Sequence, residues 1–309
     1  MTPAAAPPGT EDARVVAAHG QHLRIVDAQG AVRAARVFGR SLQVVCGDRV
    51  TCRHDVQHDV WHVLRTLPRQ SELHRSNNRG RGELIAANVD LLVVVIAAVP
   101  EPDLFVVDRY LAAAAAAPAA ALLLRNKCDL PLPPAVAPEL DAYARAGYQW
   151  LPCSAHSGAG LDDLRARLRG HTALLVGQSG VGKSSLLRAL APHSEARVGE
   201  LMRDSEGRHT TTATSLHALP GGGELLDSPG VRDFAPSLER LDAHALGFAE
   251  IASLQRPCRF ADCRHYDEPG CLVRAAVERG DMSPRRYESY RRLRRLYEDH
   301  LRRQRGGAR

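Results

Sequence analysis

One stretch constrains this chain more than any other: Gly177-Gln178-Ser179-Gly180-Val181-Gly182-Lys183-Ser184-Ser185. It follows an apolar run, Thr172 to Val176, and opens into a helix-like sequence, Ser185 to Leu190. That is G-x-x-x-x-G-K-[ST] in the setting its chemistry requires, a strand, then a glycine loop, then a helix. Glycines let the backbone wrap a phosphate chain closely, and the loop amides and helix N-terminus donate to an anion. Lys183 is placed to reach the β- and γ-phosphates as a point charge, and Ser184 to ligate Mg²⁺. A glycine turn that binds nothing would need neither residue. The stretch predicts a nucleoside triphosphate site.

Upstream, two continuous apolar runs, Leu91 to Ile96 and Ala119 to Leu124, suit buried parallel strands. Between them Asp103 to Ala117 reads as a helix stopped at Pro118. The second strand ends in Asn126-Lys127-Cys128-Asp129, which reads as a guanine reader. Guanine offers N1–H and N2–H₂ side by side, and one carboxylate, Asp129, accepts both; adenine leaves it unpaired. Such a buried acceptor discriminates by roughly 10⁴-fold. Asn126 would tie neighbouring loops together, and the stem of Lys127 would cover the base. A short strand from Gln149 ends in Ser154-Ala155, a pair suited to a loop whose amide meets the guanine O6. Leu161 to Leu168 reads as a helix.

Beyond the phosphate loop, Ala196 to Thr214 is polar and glycine-punctuated and contains Gly207-Arg208-His209-Thr210-Thr211-Thr212. A threonine-bearing loop of this kind can order around Mg²⁺ and a γ-phosphate, as a switch does. Thr211 is the favoured Mg²⁺ sensor, with Thr210 and Thr212 as alternatives. Asp227-Ser228-Pro229-Gly230 is a D-x-x-G in which Asp227 holds the Mg²⁺ water shell and the Gly230 amide meets the γ-phosphate. The nucleotide motifs therefore run base reader, Ser-Ala loop, phosphate loop, switch threonine, D-x-x-G. That order predicts a circularly permuted sheet, a change domains tolerate because their termini usually lie close together at the surface.

The flanks carry different patterns. From about Glu11 to Ser71, short apolar runs, among them Leu42-Val44-Val45, alternate with Gly20, Gly30, Gly39 and Gly47, as in an all-β unit. Five or so strands suit an OB-type barrel, which either grips oligonucleotides or serves as a spacer. Asn77 to Gly82, with Arg79 and Arg81, reads as a linker. Leu238 to Leu254 reads as a helix leading to Cys258, Cys263, His265 and Cys271. Three thiolates and an imidazole complete a tetrahedral set for one closed, structural Zn²⁺, with Arg256, Arg259 and Arg264 beside it. Ser283-Pro284 starts a helix with an apolar stripe, Tyr287, Tyr290, Leu293, Leu296, Tyr297 and Leu301. Its many arginines, Arg285 and Arg286 included, form either a solvated basic face or a contact with nucleic-acid phosphates.

The composition sets limits. The chain has 309 residues, a formal charge of +6 and a pI of about 9.1, a modest basic excess that favours a polyanionic partner. Lys127 and Lys183 are its lysines, and both fall inside nucleotide motifs. Seven cysteines, an odd number, argue against a disulfide framework. Met1 to Gly9 reads as a disordered tail, and no apolar run approaches the roughly 18 residues of a membrane span. The expectation is a cytoplasmic, monomeric protein: tail 1–10, OB unit 11–70, permuted G domain 71–236, zinc-binding and basic helical unit 237–309.

Taken together, G-R-H-T-T-T, D-S-P-G-V, the β-rich N-terminus and the cysteine cluster resemble the circularly permuted GTPases of the RsgA (YjeQ) family over nearly the whole chain after the tail. The resemblance implies a GTPase that binds the small (30S) ribosomal subunit and its 16S rRNA, assists late maturation, and leaves on hydrolysis to GDP and phosphate. Val231 follows the D-x-x-G glycine where many GTPases place a water-orienting glutamine; the family implies that His209 compensates, although a loop histidine also suits an RNA contact. The competing reading is an rRNA-binding GTP sensor whose hydrolysis is incidental. A small-molecule kinase fits poorly with Asn126 to Asp129 and with the lack of an evident lid.

Overall fold

A computed structural model describes residues 9–39, 42–76, 82–192, 214–227 and 237–306. Its organising feature is one sheet of eleven strands, ordered β10-β9-β8-β11-β13-β12-β1-β2-β3-β5-β4. The first half is the nucleotide domain and the second half a barrel.

The barrel strands are β1 (Glu11–His19), β2 (His22–Val26), β3 (Val32–Val37), β4 (Arg49–Asp55) and β5 (Val60–Thr66). β1 also pairs with β4, so the ring closes as 1-2-3-5-4-1 around Val15, Leu23, Ile25, Val50, Cys52 and Val63. This is the OB-type barrel the alternation predicts. The run Leu42 to Val45 is not one of its strands. Buried Asp48 takes the Val45 N–H at 2.9 Å, and a side chain that captures a backbone amide withdraws it from a ladder.

β1 serves two sheets. Glu11 to Arg14 pair with β4, whereas Ala17 and Ala18 pair with Ser215 and Thr214 of β12 (Thr214–Ala218). A register shift between Val15 and Ala17 re-aims the strand from barrel to nucleotide sheet, as bulges do. Arg14 seals the junction, reaching the Thr172 Oγ1 at 2.9 Å and the Glu224 carboxylate at 2.8 Å.

In the nucleotide half, β8 (Leu91–Ala97), β9 (Ala120–Asn126), β10 (Gln149–Pro152), β11 (Thr172–Val176) and β13 (Glu224–Asp227) run parallel, and β12 is antiparallel to β13. Every residue of β8 and β11 is buried, because helices cover both faces. Each fully buried Leu or Val there contributes about 1.5–3 kcal/mol. α1 (Leu104–Ala116) is capped by Asp103, whose carboxylate accepts from Phe105 N at 2.9 Å and Val106 N at 3.3 Å. Such a cap contributes about 1 kcal/mol. α2 (Ala137–Arg145), α3 (Leu161–Leu168) and α4 (Lys183–Leu190) complete the layers. β11, which leads into the phosphate loop, lies between β8 and β13, so strands from both ends of the domain's sequence flank it. That is the permutation the motif order predicts.

Two further sequence expectations fail. β6 (Glu72–Ser76) and β7 (Gly82–Ala87) pair antiparallel, so Asn77 to Gly82 joins the strands of a hairpin rather than linking domains. Leu238 to Leu254 is not one helix but a 3₁₀ turn, Leu238–Arg240, and one helical turn, α5 (Ala249–Ala252). Asp242 captures the amides of His244 and Ala245 at 3.0 and 2.7 Å, and Leu246 and Gly247 take positive φ. A Cβ on Gly247 would lie 2.5 Å from the Ala112 Cα, so the helix is broken where the chain presses against α1. α6 (Leu272–Arg279) and α7 (Pro284–Gly306) finish the chain, and a core of Phe105, Ala112, Leu246, Phe248, Tyr290 and Leu293 joins them to α1.

Candidate nucleotide site and metal centre

The loops that carry the nucleotide motifs leave the C-terminal ends of β9, β10, β11 and β13, the edge where open α/β sheets bind ligands. Gly177, Gln178, Ser179, Gly180, Val181 and Gly182 form the phosphate loop, and Lys183, Ser184 and Ser185 form the first turn of α4. Gly182 takes φ +98°, and a Cβ there would sit 2.3 Å from the Asn126 Nδ2. Only glycine fits. The buried Lys183 ammonium donates to the carbonyls of Gly177 and, at 2.8 Å, Gln178, which holds the charge inside the loop.

Asn126 is buried and bridges two loops, donating to the Val181 O at 2.8 Å and accepting from the Ala155 N–H at 3.1 Å. The tie expected from the sequence is present, and it turns the Ala155 amide towards Asn126. Lys127 takes φ +57° and donates to the carbonyls of Val99 and Gly180 at 2.7 and 2.8 Å. A compact ammonium suits two carbonyls on different loops better than a planar guanidinium would. Cys128 donates its N–H to the Cys153 O at 3.0 Å, which locks the turn after β9 to the loop after β10. Asp129 is exposed; the buried Ser154 hydroxyl, donating to it, and its own N–H hold its carboxyl below the usual carboxylate range. The carboxylate is therefore ionised at neutral pH, and the Ser154 hydroxyl holds it. Ser154 Oγ in turn accepts from the Ser157 N–H at 3.1 Å.

Asp227 ends β13 opposite Ser215. Gly230, His209 and Thr211 lie outside the described residues, as do the alternatives Thr210 and Thr212. One contact at this edge carries no sequence signal. Gln178 Oε1 accepts from the Asp103 N–H at 2.8 Å, which fastens the phosphate loop to the start of α1.

The second site is metallic in its chemistry. Cys258, Cys263, His265 and Cys271 are buried, with their ligand atoms all within 4.8 Å of one another. The three sulfurs lie 3.5, 3.4 and 3.5 Å from His265 Nδ1. Bonds of about 2.3 Å to sulfur and about 2.0 Å to nitrogen at tetrahedral angles give an N···S edge of about 3.5 Å. The donor set therefore fits Zn²⁺, with Nδ1 as the imidazole ligand. Burial, with His244 and Arg294 nearby, pushes His265 down to about 4, so it is neutral and ready to ligate. Burial pushes the Cys263 thiol up to about 12, and a cation would reverse that. The Leu272 N–H reaches Cys258 Sγ at 3.4 Å, and Tyr287 OH holds the His265 O at 2.7 Å. Arg256, Arg259 and Arg264 face solvent beside the cluster.

The basic helix departs from its sequence reading. Arg286 is 1% exposed and bonds Asp108 of α1 at 2.6 Å and both carboxylate oxygens of Glu250. Arg285 binds Asp108 at 2.6 Å and Glu139 of α2 at 2.8 Å, and Tyr143 OH donates to Asp108 at 2.8 Å. Arg286 is buried and Arg285 only partly exposed, and carboxylates of other elements engage both; they staple α7 to the nucleotide domain. A signal existed: Arg286 is in phase with Tyr290, Leu293 and Tyr297 on the buried stripe. Leu296, assigned to that stripe, is 40% exposed.

Comparison with known proteins adds an independent line. The model of the RsgA GTPase family matches residues 66–236. A small ribosomal subunit biogenesis GTPase RsgA from Pseudomonas putida is 42% identical over 292 residues, spanning 92% of this chain and 85% of that protein. The protein of the same description from Azotobacter vinelandii is 46% identical over 256 residues, 81% of this chain and 74% of its own. Among solved structures, YjeQ from Thermotoga maritima aligns at a TM-score of 0.72 with 26% identity, covering 94% of this chain and 99% of its own. YloQ, described as a circularly permuted GTPase, aligns at 0.71 with 25% identity, covering 96% and 98%.

Proposed function

This chain belongs to the RsgA GTPase family, and from that premise we propose that it is a GTP hydrolase that binds the small ribosomal subunit and assists its biogenesis. The observation that carries the reading is the convergence of the phosphate loop, the guanine-reading turn and the Ser154 loop at one sheet edge, with Asn126 bonded to two of them. Lys183 and the loop amides bind the phosphates, and Asp129, oriented by Ser154, selects guanine. Ser184, Thr211 and Asp227 would hold Mg²⁺, which when bound neutralises charge developing between the β- and γ-phosphates. Cys258, Cys263, His265 and Cys271 would hold one structural Zn²⁺. Gly230 would meet the γ-phosphate, and His209 would orient the attacking water, which yields GDP and phosphate. Hydrolysis then releases the protein from the subunit and its 16S rRNA, late in maturation. The protein acts in the cytoplasm as a monomer; among the described residues no helix is long and apolar enough to cross a membrane.

Turnover measured with and without small subunits tests this reading. Stimulation by the subunit supports it, whereas a rate that ignores the subunit points to a GTP sensor. Within it, His209→Ala should keep GTP binding and lose the stimulated rate; an unchanged rate removes His209 from catalysis.

A further inference from the structure

The cap of α1 is completed from outside the helix. Asp103 is its N-cap residue, and the Asp103 carboxylate is engaged with the amides of Phe105 and Val106. In a capping box, a Glu or Gln at the third helical position reaches back to the N-cap residue's own N–H. α1 has Val106 there, preceded by Leu104 and Phe105, so its first turn contains no side chain able to accept that bond. Gln178 of the phosphate loop, 75 positions away, supplies the acceptor: its Oε1 lies 2.8 Å from the Asp103 N. The chain entering α1 also packs on the loop, because a Cβ on Gly180 would meet the Pro100 Cδ at 3.4 Å. The same helix holds the zinc-bearing unit. Asp108, one turn and a half beyond the cap, is about 7.5 Å further along the axis. It receives Arg285 and Arg286 of α7 at 2.6 Å each, and Ala112 meets Gly247. One short helix therefore carries the phosphate loop at its start and α7 along its body.

We propose that Gln178 is a positioning residue: by capping α1 it fixes the phosphate loop to the helix that docks α7, so that guanine-nucleotide binding and docking of the zinc-bearing unit favour one another. The proposal rests on the nucleotide-binding reading above and adds a regulation of that site. Thermodynamic linkage makes the effect reciprocal. A nucleotide that holds the loop in place strengthens the α1–α7 seam by the same factor by which the docked seam tightens the nucleotide. The bond that transmits it is single, neutral and partly exposed, which sets the factor at about fivefold. An amide is suited to the task. It offers an acceptor to the Asp103 N–H without a negative charge beside the phosphates, which a glutamate at this position would repel.

The test uses the full chain, zinc-loaded, in two measurements: titration with a fluorescent GDP and Mg²⁺, and amide exchange with and without saturating GDP. Exchange is read at amides of α1 and α7 that open faster than the whole protein unfolds. In the wild type, GDP should slow exchange along α7 about fivefold. Gln178→Met keeps the side-chain length and removes the acceptor. It should weaken GDP about fivefold, speed exchange in the first turn of α1, and abolish the response of α7 even at saturation. Adding Val106→Gln places an acceptor at the third helical position, which restores the cap within α1 but not the tether to the loop. Exchange in the first turn should then recover, while GDP affinity and the α7 response should not. Wild-type GDP affinity in Gln178→Met, an α7 response that persists in it, or GDP affinity restored by Val106→Gln would each overturn the assignment. A wild type that binds no GDP would sink the nucleotide reading itself, whereas one that binds GDP without protecting α7 would sink the coupling alone.

Discussion

Replacing Arg286 with methionine should loosen the zinc-bearing unit from the nucleotide domain. The side chain is 1% exposed, bonded to Asp108 at 2.6 Å and to Glu250, with its guanidinium 4.8 Å from the Tyr143 centroid and 5.1 Å from that of Phe248. Burial alone would lower its pKa; the hydrogen bonds to Glu250 and the charge of Asp108 outweigh burial and raise it, so it is a cation throughout the accessible pH range. With Arg285, Asp108, Glu139 and Glu250 the set has two cations and three carboxylates, a net charge of −1 that becomes −2 in the variant. Methionine fills much of the space, so the loss is electrostatic. Breaking a buried pair by removing one partner costs about 3–5 kcal/mol, because the remaining charge is left uncompensated. Asp108 keeps Arg285, whereas the ion pair of Glu250 among the described residues is with Arg286, so the lower end applies. Amide exchange along α7 would read this as opening roughly 150-fold more frequent, the equivalent of about 3 kcal/mol. Adding Glu250→Gln removes the stranded charge and should recover more than about 1 kcal/mol. A loss below about 1 kcal/mol in the single variant, or no recovery in the double, would refute the stapling role.

Four further outcomes follow from the sites. Ser154→Ala removes the donor that lowers the Asp129 pKa, so the carboxylate protonates at a higher pH and GDP affinity should begin to fall at a higher pH than in the wild type; superimposable pH profiles would contradict this. Gly182→Ala places a Cβ against Asn126 Nδ2 at φ +98°, and should cut nucleotide affinity at least about a hundredfold, a loss on the scale of a ligand's charge-assisted bonds; near-normal binding of a fluorescent GDP would show that the loop adapts. Chelation, or Cys258→Ser, should unfold the segment around Cys258, Cys263, His265 and Cys271 and expose α6 to exchange, with one Zn²⁺ per chain found by elemental analysis before treatment; full protection without metal would rule out a structural ion. Because the free Cys263 thiol is pushed up to about 12, zinc uptake at neutral pH should release protons and weaken as pH falls.

What the sequence determined by itself is chemistry made by neighbours along the chain. Gly177 to Ser185, Asn126 to Asp129 and the four zinc ligands are each short enough that spacing alone sets which atoms can converge. The reordering of these motifs was legible too, because a parallel sheet assembles from strands whatever their order of synthesis. The tertiary structure decided everything that depends on partners far apart in sequence. Arg286 meets Asp108 across 178 positions, Arg14 meets Thr172 across 158, and Gln178 meets Asp103 across 75. Helical phase puts Arg286 on the buried stripe with Tyr290 and Leu293, but no local pattern names the carboxylates on other elements that receive it. Packing supplies those partners: a guanidinium is buried where carboxylates on other elements repay its lost hydration, and stays in solvent where none does.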